Sequence, residues 1–143
     1  MLLDVEKYLS IPFVDGGRPP DPGLDCWGLV MLVYKDLKHV DLPPYTRVNH
    51  TRITEVSHTI REQARLFRRV GGRRWYIHTK LDPDTYYKPP LIVVMRNHPV
   101  YYNHTAIWIG EDKILHTTPT QGVHVDRLTR PRLDRIEGWY DYV

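Results

Sequence analysis

The chain has 143 residues, enough for one domain that buries a proper core without disulfide or metal staples. Hydrophobic residues make up 41% and charged residues 26%, the balance of a folded soluble protein. A net charge of +3, from 20 basic and 17 acidic side chains, is too mild to imply a nucleic-acid partner, and the single cysteine, Cys26, excludes an internal disulfide framework and a multi-cysteine zinc site.

The first residues, Met1-Leu2-Leu3-Asp4-Val5-Glu6-Lys7, put acidic side chains where a signal peptide needs a basic and then an apolar stretch. The longest apolar run is too short to span a bilayer. The expectation is a protein that starts in a cytoplasm and is carried out, if at all, by something else. Residues 11–25 read as a loop, punctuated by Pro12, Gly16, Gly17, Pro19, Pro20, Pro22 and Gly23. Asp25 is a good N-cap for the helix that follows, in which Cys26, Leu29, Val30, Val33 and Leu37 form one apolar stripe before Pro43-Pro44 closes the segment. A second helix is expected over 51–69, with Ile53, Val56, Ile60, Ala64 and Phe67 on one face. Its end is basic (Arg65, Arg68, Arg69), and Arg73-Arg74 follow Gly71-Gly72. Residues 75–90 look irregular. Five strands then follow, at 91–95, 105–109, 114–118, 123–126 and 136–142. Helices first and an antiparallel meander after them is an α+β order.

The chemistry gathers on three residues. Cys26 sits where the Pro/Gly-rich loop becomes a helix, and His104 and His116 lie far downstream on strand-like segments. A thiol at a helix N-terminus with histidines on a distant sheet is the constellation of a cysteine nucleophile. The helix terminus and an adjacent imidazole are expected to lower the thiol pKa. His104 would take the thiol proton and return it to the leaving amine, His116 would orient that ring, and the Cys26 N–H would meet the oxyanion. Strand parity tests this arrangement. A three-residue loop, Gly110-Glu111-Asp112, pairs Ile109 with Lys113 and Ala106 with His116, with Asp112 in the left-handed region. His104 and His116 then become diagonal neighbours on one face, roughly 7 Å apart at the backbone.

These motifs resemble a known family. Gly17-Arg18, then Gly23-Leu24-Asp25-Cys26-Trp27-Gly28-Leu29-Val30 and Leu42-Pro43, look like the NlpC-type papain-like cysteine peptidases. His104-Thr105-Ala106-Ile107-Trp108-Ile109-Gly110, with His116 and Gly122-Val123, resembles that family's histidine strand and its partner. Trp27 after the cysteine, and the ending from Asp126-Arg127-Leu128 to Arg135-Ile136-Glu137-Gly138-Trp139-Tyr140, resemble the branch found in phage tail tips and gene-transfer particles. Trp27 stands where many members carry a serine, and Pro90-Leu91 where they carry glycine-aspartate.

The resemblance implies a papain-like α+β fold in one domain over 1–143, with a branch-specific insertion at about 46–90. By it Cys26 is the nucleophile, His104 the base and His116 the orienting residue, while Asp25 and Trp27 flank the nucleophile as substrate contacts. It implies hydrolysis of amide bonds in peptidoglycan stem peptides, without a cofactor, by a virion tail-tip component that docks on other tail proteins. Nucleic acid and membrane insertion play no part. The rival reading is a structural or assembly subunit of the tail tip that keeps an idle peptidase fold. His98 and His124 read as solvated or structural residues. A metal held by His98, His104 and His116 finds no support in paired short spacings, so no metal is expected. The arginine segment from Arg65 to Arg74 reads as a solvated helix end or as a grip for an acidic partner.

Overall fold

The computed structural model describes residues 2–43, 67–72, 88–96 and 103–142. Its first long element is α1 (Cys26–Lys38), which starts where expected because Asp25, in an extended conformation, accepts a hydrogen bond from the Gly28 N–H at 2.7 Å. Leu29, Val30 and Val33 are buried with Trp27 and Tyr34. Leu37, expected in the same stripe, is 38% exposed. The last turn of α1 instead attaches through Lys38, whose ammonium lies 3.0 Å from Asp141. His39 then closes the helix in the left-handed region, its N–H donating to the Tyr34 carbonyl.

The remaining elements are β1 (Arg68–Gly72), β2 (Leu91–Met95), β3 (His104–Gly110), β4 (Lys113–Thr118), β5 (Gly122–Arg127), the short helix α2 (Arg130–Leu133) and β6 (Ile136–Asp141). They form one antiparallel six-stranded sheet in the order β1-β6-β2-β3-β4-β5. The fold is α+β, as the element order indicated. Five of the strands match the expected ones, and β1 is a correction. Arg68 and Arg69 were placed at the end of a helix, yet they pair with Asp141 and Tyr140 of β6. Gly71-Gly72 is poor helix material, and Arg69 is drawn to β6 by the Glu137 carboxylate at 3.3 Å and the Glu137 carbonyl at 2.7 Å. The rest of the expected second helix, with Arg65, Arg73 and Arg74, lies outside the described residues.

The sheet is buried on both faces, and this explains why β2 reads as an unbroken Leu-Ile-Val-Val-Met run. One face packs Ile92, Val94, Ile107, Ile109, Leu115 and Val123 against α1. The other face packs Leu91, Val93, Ala106, Trp108, Ile114 and Trp139 beneath Leu128 and Leu133, next to and within α2. No helix among the described residues is long and apolar enough to cross a membrane.

The β3–β4 hairpin keeps the expected register by a different turn. Ile107 pairs with Leu115 and Trp108 with Ile114, but Gly110, not Ile109, lies opposite Lys113. The turn is the two-residue Glu111-Asp112, with a bulge between Trp108 and Gly110. The left-handed position falls to Glu111 (φ 51) rather than Asp112. A two-residue turn alone would have placed the histidines on opposite faces. The bulge adds the residue that restores parity.

Candidate active site

The nucleophile's seat is built from the loop before α1. Arg18, only 5% exposed, places its guanidinium 2.6 Å from the Asp25 carboxylate and donates to the Gly17 carbonyl at 3.0 Å. The same Asp25 oxygen receives the Gly28 N–H, so one carboxylate caps the helix and anchors the loop. The backbones touch: a Cβ on Gly28 would land on the Gly17 carbonyl, and one on Gly17 would land on the Gly23 carbonyl. Glycine is therefore required at both positions for close approach. Cys26 follows as the first residue of α1, where an amide N–H has no intrahelical acceptor.

Asp25 and Trp27, expected as substrate contacts, are committed to this seat. The Asp25 oxygen is shared between Arg18 and Gly28. Trp27 is 6% exposed, donates its indole N–H to the Pro43 carbonyl at 2.9 Å and meets Phe67 edge-on at 5.7 Å. Its ring joins the core cluster and ties α1 to the chain leading into β1.

Cys26 is half-buried as a residue, and its thiol is buried beside Thr105, the neighbour of His104 at the start of β3. Burial pushes its pKa up and the Asp25 charge adds to that; the Thr105 hydroxyl and amide and the Arg18 charge pull it down without prevailing. The expected lowering is thus reversed. The helix N-terminus carries its own neutralising carboxylate, so its partial positive charge is largely offset before it reaches the sulfur. The Thr105 hydroxyl is buried and has no well-formed hydrogen bond among the described residues, which leaves it available to the sulfur.

His104 and His116 come together as the parity argument required. His104 Nε2 lies 2.9 Å from His116 Nδ1, and continuing the β3–β4 register sets the small side chain of Ala106 opposite His116. Beyond them the chain of contacts continues. His116 Nε2 lies 2.7 Å from Asp126 Oδ2, which also faces His124 Nε2 at 3.0 Å and the Arg132 guanidinium at 3.4 Å.

Burial holds the His104 pKa well below its usual value, with the His116 and His124 charges adding. Burial also lowers that of His116 despite the opposing Asp126 hydrogen bond. For Asp126 burial works upward, but the His116 hydrogen bond and the charges of His116, Arg132 and His124 outweigh it and keep the carboxyl below its usual range. With His116 and His104 held neutral by burial, an ionised Asp126 sets the protons along the line from Asp126 to His104. Asp126 can only accept, so His116 donates from Nε2 and its Nδ1 is an acceptor. His104 must then donate from Nε2, which leaves His104 Nδ1 bare.

Asp126, His124 and Arg132 had no part in the sequence reading of the site. The signal was present in the second hairpin. Thr118 pairs with Gly122, which sets His116 opposite His124, and strand alternation then brings Asp126 to the same face. The metal trio considered from sequence also changes. His98 lies outside the described residues, and the donor atoms that converge, all within 4.8 Å of one another, belong to His116, His124 and Asp126.

Residues 10–135 match the model of the NlpC/P60 family. The gamma-DL-glutamyl hydrolase of Bacillus subtilis (strain 168) is 21% identical over 126 residues, an alignment spanning 88% of this chain and 24% of that protein. Among solved structures, an NLP/P60-family lipoprotein-like protein of Staphylococcus aureus superposes with a TM-score of 0.60 at 21% identity, over 100% of this chain and 43% of the other. The NlpC/p60 domain of the peptidoglycan hydrolase SagA superposes with a TM-score of 0.55 at 21% identity, over 95% and 91% of the two chains. The chain thus spans about a quarter of the curated relative and less than half of the staphylococcal protein, and what it shares with the solved structures is the fold. With the family pattern running from the loop before Cys26 to the end of α2, this chain belongs to the NlpC/P60 family.

Proposed function

We propose that this chain is a cysteine peptidase that hydrolyses amide bonds in peptidoglycan stem peptides, with Cys26 as nucleophile, His104 as base and His116 as the residue that orients it. The observation that carries the reading is the hydrogen-bonded chain from Asp126 through His116 to His104, which leaves His104 Nδ1 unprotonated. Because the thiol pKa is raised and that of His104 lowered, the resting pair is neutral. Attack then couples to proton transfer: the Cys26 proton passes to His104 Nδ1 as sulfur adds to the scissile carbonyl carbon. The Cys26 N–H at the start of α1 meets the oxyanion. Collapse expels the amine, which takes the proton from His104 and leaves a thioester on sulfur. Water, deprotonated by His104, attacks the thioester and releases the carboxylate product and the free thiol. Peptidoglycan as substrate rests on family membership and on the description of SagA as a peptidoglycan hydrolase. The test is turnover of purified murein together with labelling by a thiol-directed reagent; both should vanish in Cys26→Ala.

The phage tail-tip setting, with action at the bacterial cell wall and docking on other tail proteins, is supported by sequence features alone. These are Trp27 after the nucleophile and the closing stretch from Asp126 to Tyr140. In a particle that carries this chain, Cys26→Ala should leave assembly intact and reduce DNA entry. Loss of assembly in that variant would favour the idle structural subunit.

A further inference from the structure

We propose that His116, His124 and Asp126 form a zinc site whose occupancy switches the peptidase off by reversing the tautomers of the two histidines; the switching part rests on the peptidase reading above, the metal site does not. Three donors cluster together. His116 Nε2 and His124 Nε2 lie 2.7 and 3.0 Å from the same Asp126 oxygen. Zinc bonds of about 2.0–2.2 Å in tetrahedral geometry separate donors by about 3.3–3.5 Å, so these two distances need to open by roughly half an ångström, and all three donor atoms lie within 4.8 Å of one another. Two imidazoles and one carboxylate suit zinc rather than calcium or magnesium.

A second observation points to a cation at the same place. His124 Nδ1 lies 2.8 Å from the Gly122 carbonyl and must carry a hydrogen to bond it. The ring nitrogen left to bind an ion is therefore Nε2, which faces the Asp126 carboxylate at 3.0 Å. The Nδ1–H to a backbone carbonyl is also the support that metal-bound histidines use to fix their tautomer. An ion has a path in, because the His124 and Asp126 side chains are 18% and 27% exposed. Arg132 is the opposing charge, 3.4 Å from the same oxygen, 32% exposed and also donating to the Arg127 carbonyl at 2.9 Å.

The consequence for the base follows from proton counting. Zinc on His116 Nε2 displaces the proton held there to solvent. The neutral ring then carries its proton on Nδ1, taken from His104 Nε2 across the 2.9 Å contact. His104 regains a proton from solvent on Nδ1, the atom that must be bare to accept one from Cys26. No net charge changes on either ring, yet the base is blocked.

The Cys26→Ala protein, which removes zinc binding by the thiol, is titrated with zinc chloride by calorimetry and by long-range nitrogen–proton NMR. The expected result is one ion per chain, with the His104 proton moving from Nε2 to Nδ1. Affinity should fall at least about tenfold on adding either His124→Ala or His124→Gln, since a ligand is lost, and should rise on adding Arg132→Ala. In the unsubstituted protein, zinc should suppress murein turnover and a chelator restore it. Half-inhibition should shift to at least tenfold higher zinc in His124→Gln when each protein is scaled to its own metal-free rate. Absence of binding in Cys26→Ala, or binding indifferent to both His124 substitutions, overturns the site. Binding without tautomer reversal overturns the switch. Zinc binding at this trio in a protein with no turnover would mean that the peptidase reading has failed while the metal site stands.

Discussion

Removing the Asp25 charge should show how much of the protein's stability is invested in seating the nucleophile. Arg18 is 5% exposed and its guanidinium is 2.6 Å from the Asp25 oxygen that also caps α1. Breaking a buried pair by removing one partner costs about 3–5 kcal/mol, and losing an N-cap costs about 1 kcal/mol. Both interactions use one oxygen, and Arg18 keeps its hydrogen bond to Gly17, so the lower end applies. Asp25→Asn, which keeps an acceptor for Gly28, should cost about 3 kcal/mol. In urea, with a slope of about 1.5 kcal/mol per molar, the unfolding midpoint should drop by about 2 M. The double variant Arg18→Met, Asp25→Asn removes both charges and keeps the cap, so it should recover to within about 1 kcal/mol of the parent. Equilibrium unfolding followed by tryptophan fluorescence reads all three proteins. If the double variant is as unstable as Asp25→Asn, the cost lies in the cap or in packing, and the ion-pair argument is refuted.

The raised Cys26 pKa gives a pH signature: alkylation of the native thiol by iodoacetamide should keep accelerating above pH 9, whereas a plateau reached in mild acid would indicate a preformed thiolate–imidazolium pair. The same shift makes the thiol's contribution to stability fully present below the unfolded cysteine pKa of about 8.5, and lost as pH rises through the higher folded value. Asp126→Ala removes a charge-assisted hydrogen bond worth about 1.5–3 kcal/mol, so kcat on murein should fall about ten- to hundredfold with KM little changed; an unaltered kcat would take Asp126 out of the proton relay. His104→Ala should abolish turnover as fully as Cys26→Ala, while His116→Gln keeps part of it; survival of His104→Gln but not of His116→Gln would assign the base to the other ring. Gly28→Ala drives a methyl into the Gly17 carbonyl and should cost about 1–3 kcal/mol, visible as a lowered Tm.

What the amino-acid sequence determined by itself is whatever depends on neighbours a few residues apart. Asp25 as a cap, α1 from Cys26 and the five strands from Leu91 onward follow from capping and strand patterning, whereas the shared face of His104 and His116 also needed the bulge before Gly110. What tertiary structure decided depends on residues far apart in the chain. Arg68–Gly72 becomes a strand because β6 offers an open edge and Glu137 attracts Arg69, which no local pattern records. The direction of the Cys26 shift is a contest of burial and the Asp25 charge against Thr105 and the Arg18 charge, and burial exists only once α1 lies on the sheet. Asp126 reaches His116 across the β4–β5 pairing, so the residue that sets the tautomers is placed by cross-strand register and not by any motif around it.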